Sequence, residues 1–170
     1  MLCKGEYKMV EALSVYKLLE ALDVQYKKYE HAPAFTMEDI KELDIHIEGE
    51  YCKNLFLRNS KGNQHYLVIV SGSKTVDLKK LAREIPSTRL SFASDERLYK
   101  YLKLKPGSVS PFGLIHDNDQ HVEIVIDQDI VGLDLLCFHP NINTATVVIS
   151  YDDFYKYLKS RGNKIHFVQI

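Results

Sequence analysis

An α+β domain, with a mixed, largely antiparallel sheet flanked by helices, is what this 170-residue sequence predicts. Three observations carry that reading. Apolar residues recur at helical spacing over 9–22 and again in SGSKTVDLKKLAREI, SDERLYKYLKL and DDFYKYLKSR. Between these stretches lie short runs rich in β-branched and aromatic residues, of strand length. Neither repeats nor low-complexity linkers interrupt the pattern, so residues 1–170 read as one domain.

In the first helix Val10, Leu13, Val15 or Tyr16, Leu18, Leu19 and Leu22 follow the helical period. QYKKYEH then alternates like an exposed strand. At HAPAFTMED the chain turns through Pro33, and Thr36 with Asp39 three residues on resembles an N-cap that opens a short helix. KNLFLRN and QHYLVIV are strand-like and joined by SKGN, a hairpin connection, with Lys53 at the mouth of the first strand.

A helix follows with Leu78, Leu81, Ala82 and Ile85 on one face. Ser94 caps another whose first turn is acidic. The loop PGSVSPFGLI comes directly after it. Four further strand-like runs, FGLIH, VEIVIDQ, LLCFH and TATVVIS, are separated by DNDQ, DIVGLD and PNIN. Ser150 caps the last helix, Gly162 stops it, and KIHFVQI supplies an edge strand or tail.

At 45% hydrophobic and 26% charged, the chain has enough apolar residues for a core without covalent staples. Cys3, Cys52 and Cys137 are widely spaced and form no CxxC pair, which suits a reducing compartment, the cytoplasm. The charged N-terminus lacks a signal peptide's apolar run, and no segment has the length of a membrane span. A net charge of −1 argues against coating nucleic acid non-specifically but is compatible with a local phosphate site.

Within PGSVSPFGLI, Gly107 lets a ligand approach the backbone closely and Pro111 fixes the local direction, a pattern shared by binding loops and plain turns. Lys53 offers an ammonium suited to phosphate, or a solvated strand end. His139 stands before Pro140 with Asn141, Asn143 and Thr144 around the same turn, a set able to orient a small polar ligand. Cys137 and His139 share a strand face, yet no second pair has zinc-ligand spacing, and no metal or cofactor is expected. A Cys52 nucleophile has no supporting motif.

Acidic pairs 117/119, 127/129 and 152/153 read as turn, strand-end and helix-start residues. Walker, G-x-G-x-x-G, G-x-S-x-G and H-E-x-x-H signatures are absent. Basic residues at Lys79, Lys80 and Arg83, and at Arg97, Lys100, Lys103 and Lys105, fit either an RNA backbone or solvated helix faces.

The order and spacing of HAPAFTMED, KNLFLRN, VDLKKLA, RLSFAS, PGSVSPFGLI and FHPNINTATVVIS give a resemblance that spans about Glu11 to Gly162. The chain resembles the free-standing, YbaK-like aminoacyl-tRNA deacylases related to the editing domain inserted in bacterial prolyl-tRNA synthetase. PGSVSPFGLI looks like the G-x-x-x-P loop of the branch that hydrolyses alanine mischarged on proline tRNA.

The resemblance implies that Gly107, Ser108, Val109, Ser110, Pro111 and Phe112 hold the ester and its water through main-chain groups. It implies that Lys53, beside Asn54, contacts phosphate at the terminal adenosine. His139, Asn143 and Thr144 then shape the pocket, with Phe35 and Thr36 at its entrance. Lys53, Gly107, Ser108 and His139 are the expected catalytic set. Cys52 and Ser110 depart from the residues usual there, threonine or another small residue at the first and threonine at the second, which bears on the amino acid more than on the reaction.

A synthetase built for proline rejects a smaller amino acid weakly, since lost hydrophobic contact discriminates by only about 1–3 kcal/mol, so a second site that admits alanine corrects the error. With no convincing side-chain base, the ribose hydroxyl beside the ester is the expected activator of water. The implied partners are tRNA, with prolyl-tRNA synthetase or an elongation factor as helper. Two alternatives stand beside this reading: a non-catalytic tRNA- or nucleotide-binding module, and the same deacylase acting on cysteine- or serine-charged tRNA.

Overall fold

The computed structural model describes residues 4–34, 39 and 46–170. In chain order these form α1 (Lys4–Ala21), β1 (Tyr26–Glu30), β2 (Glu50–Arg58), β3 (His65–Ser71), α2 (Leu78–Glu84), β4 (Ser91–Phe92) and α3 (Asp95–Leu102). A 3₁₀ helix (Pro111–His116), β5 (Val122–Asp127), a 3₁₀ turn (Gln128–Ile130), β6 (Leu136–Phe138), β7 (Ala145–Ile149), α4 (Tyr151–Arg161) and β8 (Ile165–Val168) complete them.

The strands build an 8-stranded mixed sheet in the order β1-β7-β6-β2-β3-β5-β8, with β4 added to β2. Pairs β1–β7, β2–β3, β2–β4 and β6–β7 are antiparallel; β2–β6, β3–β5 and β5–β8 are parallel.

Strand alternation divides the core between the two sheet faces. Phe56, Leu67, Ile69, Ile124, Ile126, Phe138 and Val147 point to the side covered by α1, α3 and α4, where Leu19, Leu102, Phe154 and Tyr157 meet them. Leu57, Tyr66, Val68 and Val125 point the other way and are covered by Leu81 and Ile85 around α2. Each such aliphatic side chain contributes about 1.5–3 kcal/mol by leaving water. Both faces being covered explains why β3 and β7 read as continuous apolar runs.

Local signals fix the helix ends. Asp77 accepts the N–H groups of Lys79 and Lys80, Ser94 that of Arg97, and Ser150 that of Asp153; each cap stabilises its helix by about 1 kcal/mol. Gly162 ends α4 at φ +77°, in the left-handed region that glycine enters without steric cost.

Three expectations need correction. FGLIH is a 3₁₀ helix and not a strand: Ser110 caps it through Phe112 N–H, and Pro111 occupies its first turn. In α1, Val10 and Leu13 are exposed while Ala12, Val15 and Leu19 face the core, because the sheet lies about one residue around the helix from the predicted stripe. Lys53 is the fourth residue of β2, paired with Val70, and not its opening residue.

Candidate active site

Among the described residues, strand pairing leaves a gap along β2. Along one edge of β2, β6 pairs only with Glu50 and Tyr51, and β4 only with Leu57 and Arg58. Between them, among the described residues, the edge of Cys52 to Phe56 faces no strand, although Ala93 N–H reaches the Phe56 carbonyl at 3.0 Å. The parallel pairing of β2 with β6 ends at Tyr51 opposite Cys137, two residues before Lys53 on one chain segment and two before His139 on the other.

The loop and the His139 turn are joined directly. Asn141, in the left-handed region at φ +62°, donates from Nδ2 to the Phe112 carbonyl at 3.3 Å. The rings of Phe112 and Phe138 meet edge to face at 6.1 Å, and Tyr157 donates its hydroxyl to the Pro111 carbonyl at 3.0 Å. Gly107 has φ +81°, which a residue with a Cβ adopts at a cost of about 1–2 kcal/mol. The N–H groups of Gly107 and Val109 have no acceptor among the described residues, so they are available to an external oxygen.

His139 donates from Nδ1 to the Ala145 carbonyl at 2.8 Å. Burial lowers its pKa, with the neighbouring His31 acting in the same direction, so the ring is neutral near pH 7. Its Nε2 has no partner among the described residues and is an acceptor in this tautomer. The His31 ring sits 6.0 Å away. Its Nδ1 lies 2.8 Å from the Ala32 carbonyl and its Nε2 2.9 Å from the Thr146 hydroxyl; the first contact requires an N–H on Nδ1.

Backbone bonds stitch the entrance segment to this turn, His31 N–H to Thr144 O at 3.0 Å and Ala34 N–H to Asn143 O at 2.9 Å. Phe35 and Thr36, expected next along the segment, lie outside the described residues.

On the core side of β2, Asn54 donates from Nδ2 to Cys52 O at 3.4 Å, while its Oδ1 is buried without a donor. Asn141 Oδ1 is in the same condition. Two orphaned acceptors suit a ligand rich in donors, such as an ammonium group or ribose hydroxyls. Lys53, on the opposite face of the strand from Asn54, donates from Nζ to the Lys74 carbonyl at 3.0 Å.

The side chains of several nominated residues are engaged in the fold. Phe112 is fully buried in the core, and the Ser110 hydroxyl is enclosed as the 3₁₀ cap, so neither side chain presents itself to a ligand. The Ser108 hydroxyl donates to Lys105 O at 3.0 Å and closes the preceding turn. Arg97 donates to Gly62 O at 2.7 Å and lies 3.0 Å from His65 Nε2; it braces the β2–β3 hairpin and is not an exposed cation. Lys79, Lys80, Arg83, Lys100, Lys103 and Lys105 are exposed.

Burial and the neighbouring Glu50 raise the Cys52 pKa, and burial pushes Cys137 up to about 12. Both stay thiols, against a Cys52 nucleophile and a Cys137 ligand. Among the described residues no three His, Cys, Asp or Glu side chains come together as a metal site. A shallow polar cleft at the hairpin end, lined by Asn59, Arg83, Thr88 and Lys164, contains none of the residues expected in the catalytic or substrate site.

His31 was not singled out from sequence. The only signal was its position at the head of HAPAF, since its partner Thr146 is 115 residues away.

A loop with open N–H groups, tied to a turn that bears a neutral histidine, offers donors for an oxyanion and an acceptor for water or substrate. The aminoacyl-tRNA editing domain family matches residues 31–157, and the chain belongs to that family; the protein is an aminoacyl-tRNA hydrolase. It is 45% identical over 157 residues to the prolyl-tRNA editing protein ProX of Acetoanaerobium sticklandii, covering 92% of this chain and 96% of that one. It is 32% identical over 149 residues to the bovine (Bos taurus) prolyl-tRNA synthetase associated domain-containing protein 1, covering 85% and 86%. A crystal structure described as a candidate trans-editing enzyme for prolyl tRNA synthetase superposes with a TM-score of 0.69 at 20% identity, covering 100% of this chain and 99% of that one, and shows the shared fold.

Proposed function

We propose that this protein edits prolyl-tRNA in trans, hydrolysing the ester of alanine mischarged on proline tRNA to release alanine and free tRNA. Prolyl-tRNA editing is supported by the relative that bears that name over nearly the full length of both chains. The observation that carries the chemistry is the union, through Asn141, of a loop with unpaired Gly107 and Val109 N–H groups and a turn bearing neutral His139.

An aminoacyl ester needs water placed against its carbonyl and preorganised donors for the oxyanion that develops. The Gly107 and Val109 N–H groups are the donors in this reading, and removing one such donor typically costs about 10²–10³-fold in rate. His139 Nε2 accepts from substrate or water, Asn54 Oδ1 from the aminoacyl end, and Lys53 takes the terminal phosphate. Because His139 is a lone neutral acceptor and both thiols are protonated, the ribose hydroxyl next to the ester activates the water.

The deciding experiment is release of labelled amino acid from proline tRNA charged with alanine, cysteine, serine or proline. Selective loss of alanine is expected. Preference for cysteine or serine overturns the amino-acid assignment, and tRNA binding without hydrolysis of any ester overturns the catalytic one. Slow cleavage of the alanine ester on tRNA ending in 2′-deoxyadenosine is expected; undiminished cleavage removes the ribose hydroxyl from the mechanism.

A further inference from the structure

We propose that Lys74 is a positioning residue that holds Lys53 in place for the substrate's terminal phosphate, with buried Asp127 as its anchor. The inference rests on the reading of Lys53 given above. Lys53 Nζ donates to the Lys74 carbonyl at 3.0 Å. That carbonyl belongs to a turn closed by Lys74 N–H on Ser71 O at 3.1 Å, while Gly72 N–H reaches Tyr51 O at 2.7 Å. The turn is thus bonded to β2 two residue pairs from Lys53 itself.

The Lys74 side chain binds it to the rest of the sheet. Its Nζ lies 3.0 and 2.9 Å from the two Asp127 carboxylate oxygens, 2.5 Å from Asp129 Oδ2 and 2.9 Å from the Ile170 carbonyl. The Asp127 side chain is wholly buried at the end of β5, and its Oδ1 also receives the N–H groups of Asp129 and Ile170, each at 3.4 Å. A carboxylate taken out of water requires a fixed cation, so Lys74 cannot swing away without leaving Asp127 uncompensated.

This arrangement has a consequence for Lys53. A lysine stem has four rotatable bonds, and ordering it on a ligand costs entropy that a fixed acceptor removes beforehand. The acceptor is a carbonyl and not a carboxylate, so Lys53 keeps its charge and two of its three protons for an anion. The acidic groups are spent on Lys74 instead. Asp127 fixes Lys74, Lys74 fixes the turn, and the turn aims Lys53.

The test is a double-mutant cycle on single-turnover deacylation of alanine-charged proline tRNA, with Lys74→Met, Lys53→Ala and both, each rate normalised to folded protein. Lys74→Met alone is expected to lower kcat/KM about tenfold, chiefly through KM, and to change it less than about twofold when Lys53 is already alanine. Its fall in melting temperature should be the same in both backgrounds. Equal loss of activity in both backgrounds, or none in either, overturns the positioning role. Should Lys74→Met not fold, Lys74→Met/Asp127→Asn removes the orphaned charge, and the same cycle is read with that pair. If the wild-type protein cleaves no ester, the proposed function has failed; if it cleaves alanine and the cycle is additive, only the positioning role has.

Discussion

Two neutral histidines, His65 buried and His139 half-buried, are placed by opposite logic. His65 lies at the hairpin end, where Arg97 donates to its Nε2 at 3.0 Å and the rings of Phe56 and Tyr101 pack on it at 5.6 and 4.3 Å. His139 lies at the gap beside β2, where one nitrogen is fixed by Ala145 and the other is left without a partner among the described residues. Burial lowers both pKa values, and at His65 the adjacent Arg97 and Lys100 add to it and bring the value to about 4. Neutrality alone therefore does not mark a functional histidine. What separates the two is whether the acceptor nitrogen is already used.

The comparison yields outcomes of decreasing size. Lys53→Ala removes the proposed phosphate contact and is expected to lower kcat/KM about hundredfold with little change in unfolding free energy. Activity and denaturant midpoints measured on the same preparation check it. His139→Ala is expected to lower kcat/KM about thirtyfold. His65→Ala should instead lower stability by about 3 kcal/mol and leave the activity of the folded fraction unchanged. An exchange of those two phenotypes would reverse the assignment.

Acid acts on the hairpin end. With the folded pKa of His65 at about 4 and an unfolded value near 6.5, the unfolded chain takes up the proton first as pH falls, so stability drops between those values. From pH 7 to pH 5 the His65 contribution amounts to about 2 kcal/mol, read by urea unfolding at the two pH values. A His65→Gln variant that keeps the same slope over this range would remove His65 as its source.

The smallest pair concerns glycines. Gly107→Ala and Gly62→Ala each force a side chain into the left-handed region, at φ +81° and +69°, a strain of about 1–2 kcal/mol. A Cβ on Gly62 would also come 2.8 Å from Arg97 Nη2, at the tip of a long side chain. Gly62→Ala should lower only the melting temperature, whereas Gly107→Ala should lower deacylation as well by turning the loop's N–H groups.

Much of this was legible from local chemistry. Helix caps at Ser94 and Ser150, the stop at Gly162 and the hairpin around SKGN depend on contacts a few residues apart, and they stand where the sequence placed them. Lys53, the 107–111 loop and the turn at His139 could be nominated because they resemble a family's motifs. The 3₁₀ helix at FGLIH was not legible, since a short apolar run carries no period that separates strand from turn. Only the Ser110 cap and the packing of Phe112 against Phe138 and Tyr157 decided it.

By itself the sequence determined the mixed α+β class, most of the element order and the family's residues in their order, because periodicity, capping and motif spacing are properties of neighbours along the chain. The tertiary structure alone decided which nominated groups remain free to act. It spent Ser110, Phe112 and Arg97 on the core and the hairpin, left His139 Nε2 and the Gly107 and Val109 N–H groups open, and placed His31 beside His139. It also tied Lys53 to Lys74 and, through Lys74, to Asp127, residues 21 and then 53 positions apart. A hydrogen-bonding group is available only when nothing else in the fold satisfies it, and its competitors are brought near by folding, from positions that sequence spacing does not reveal.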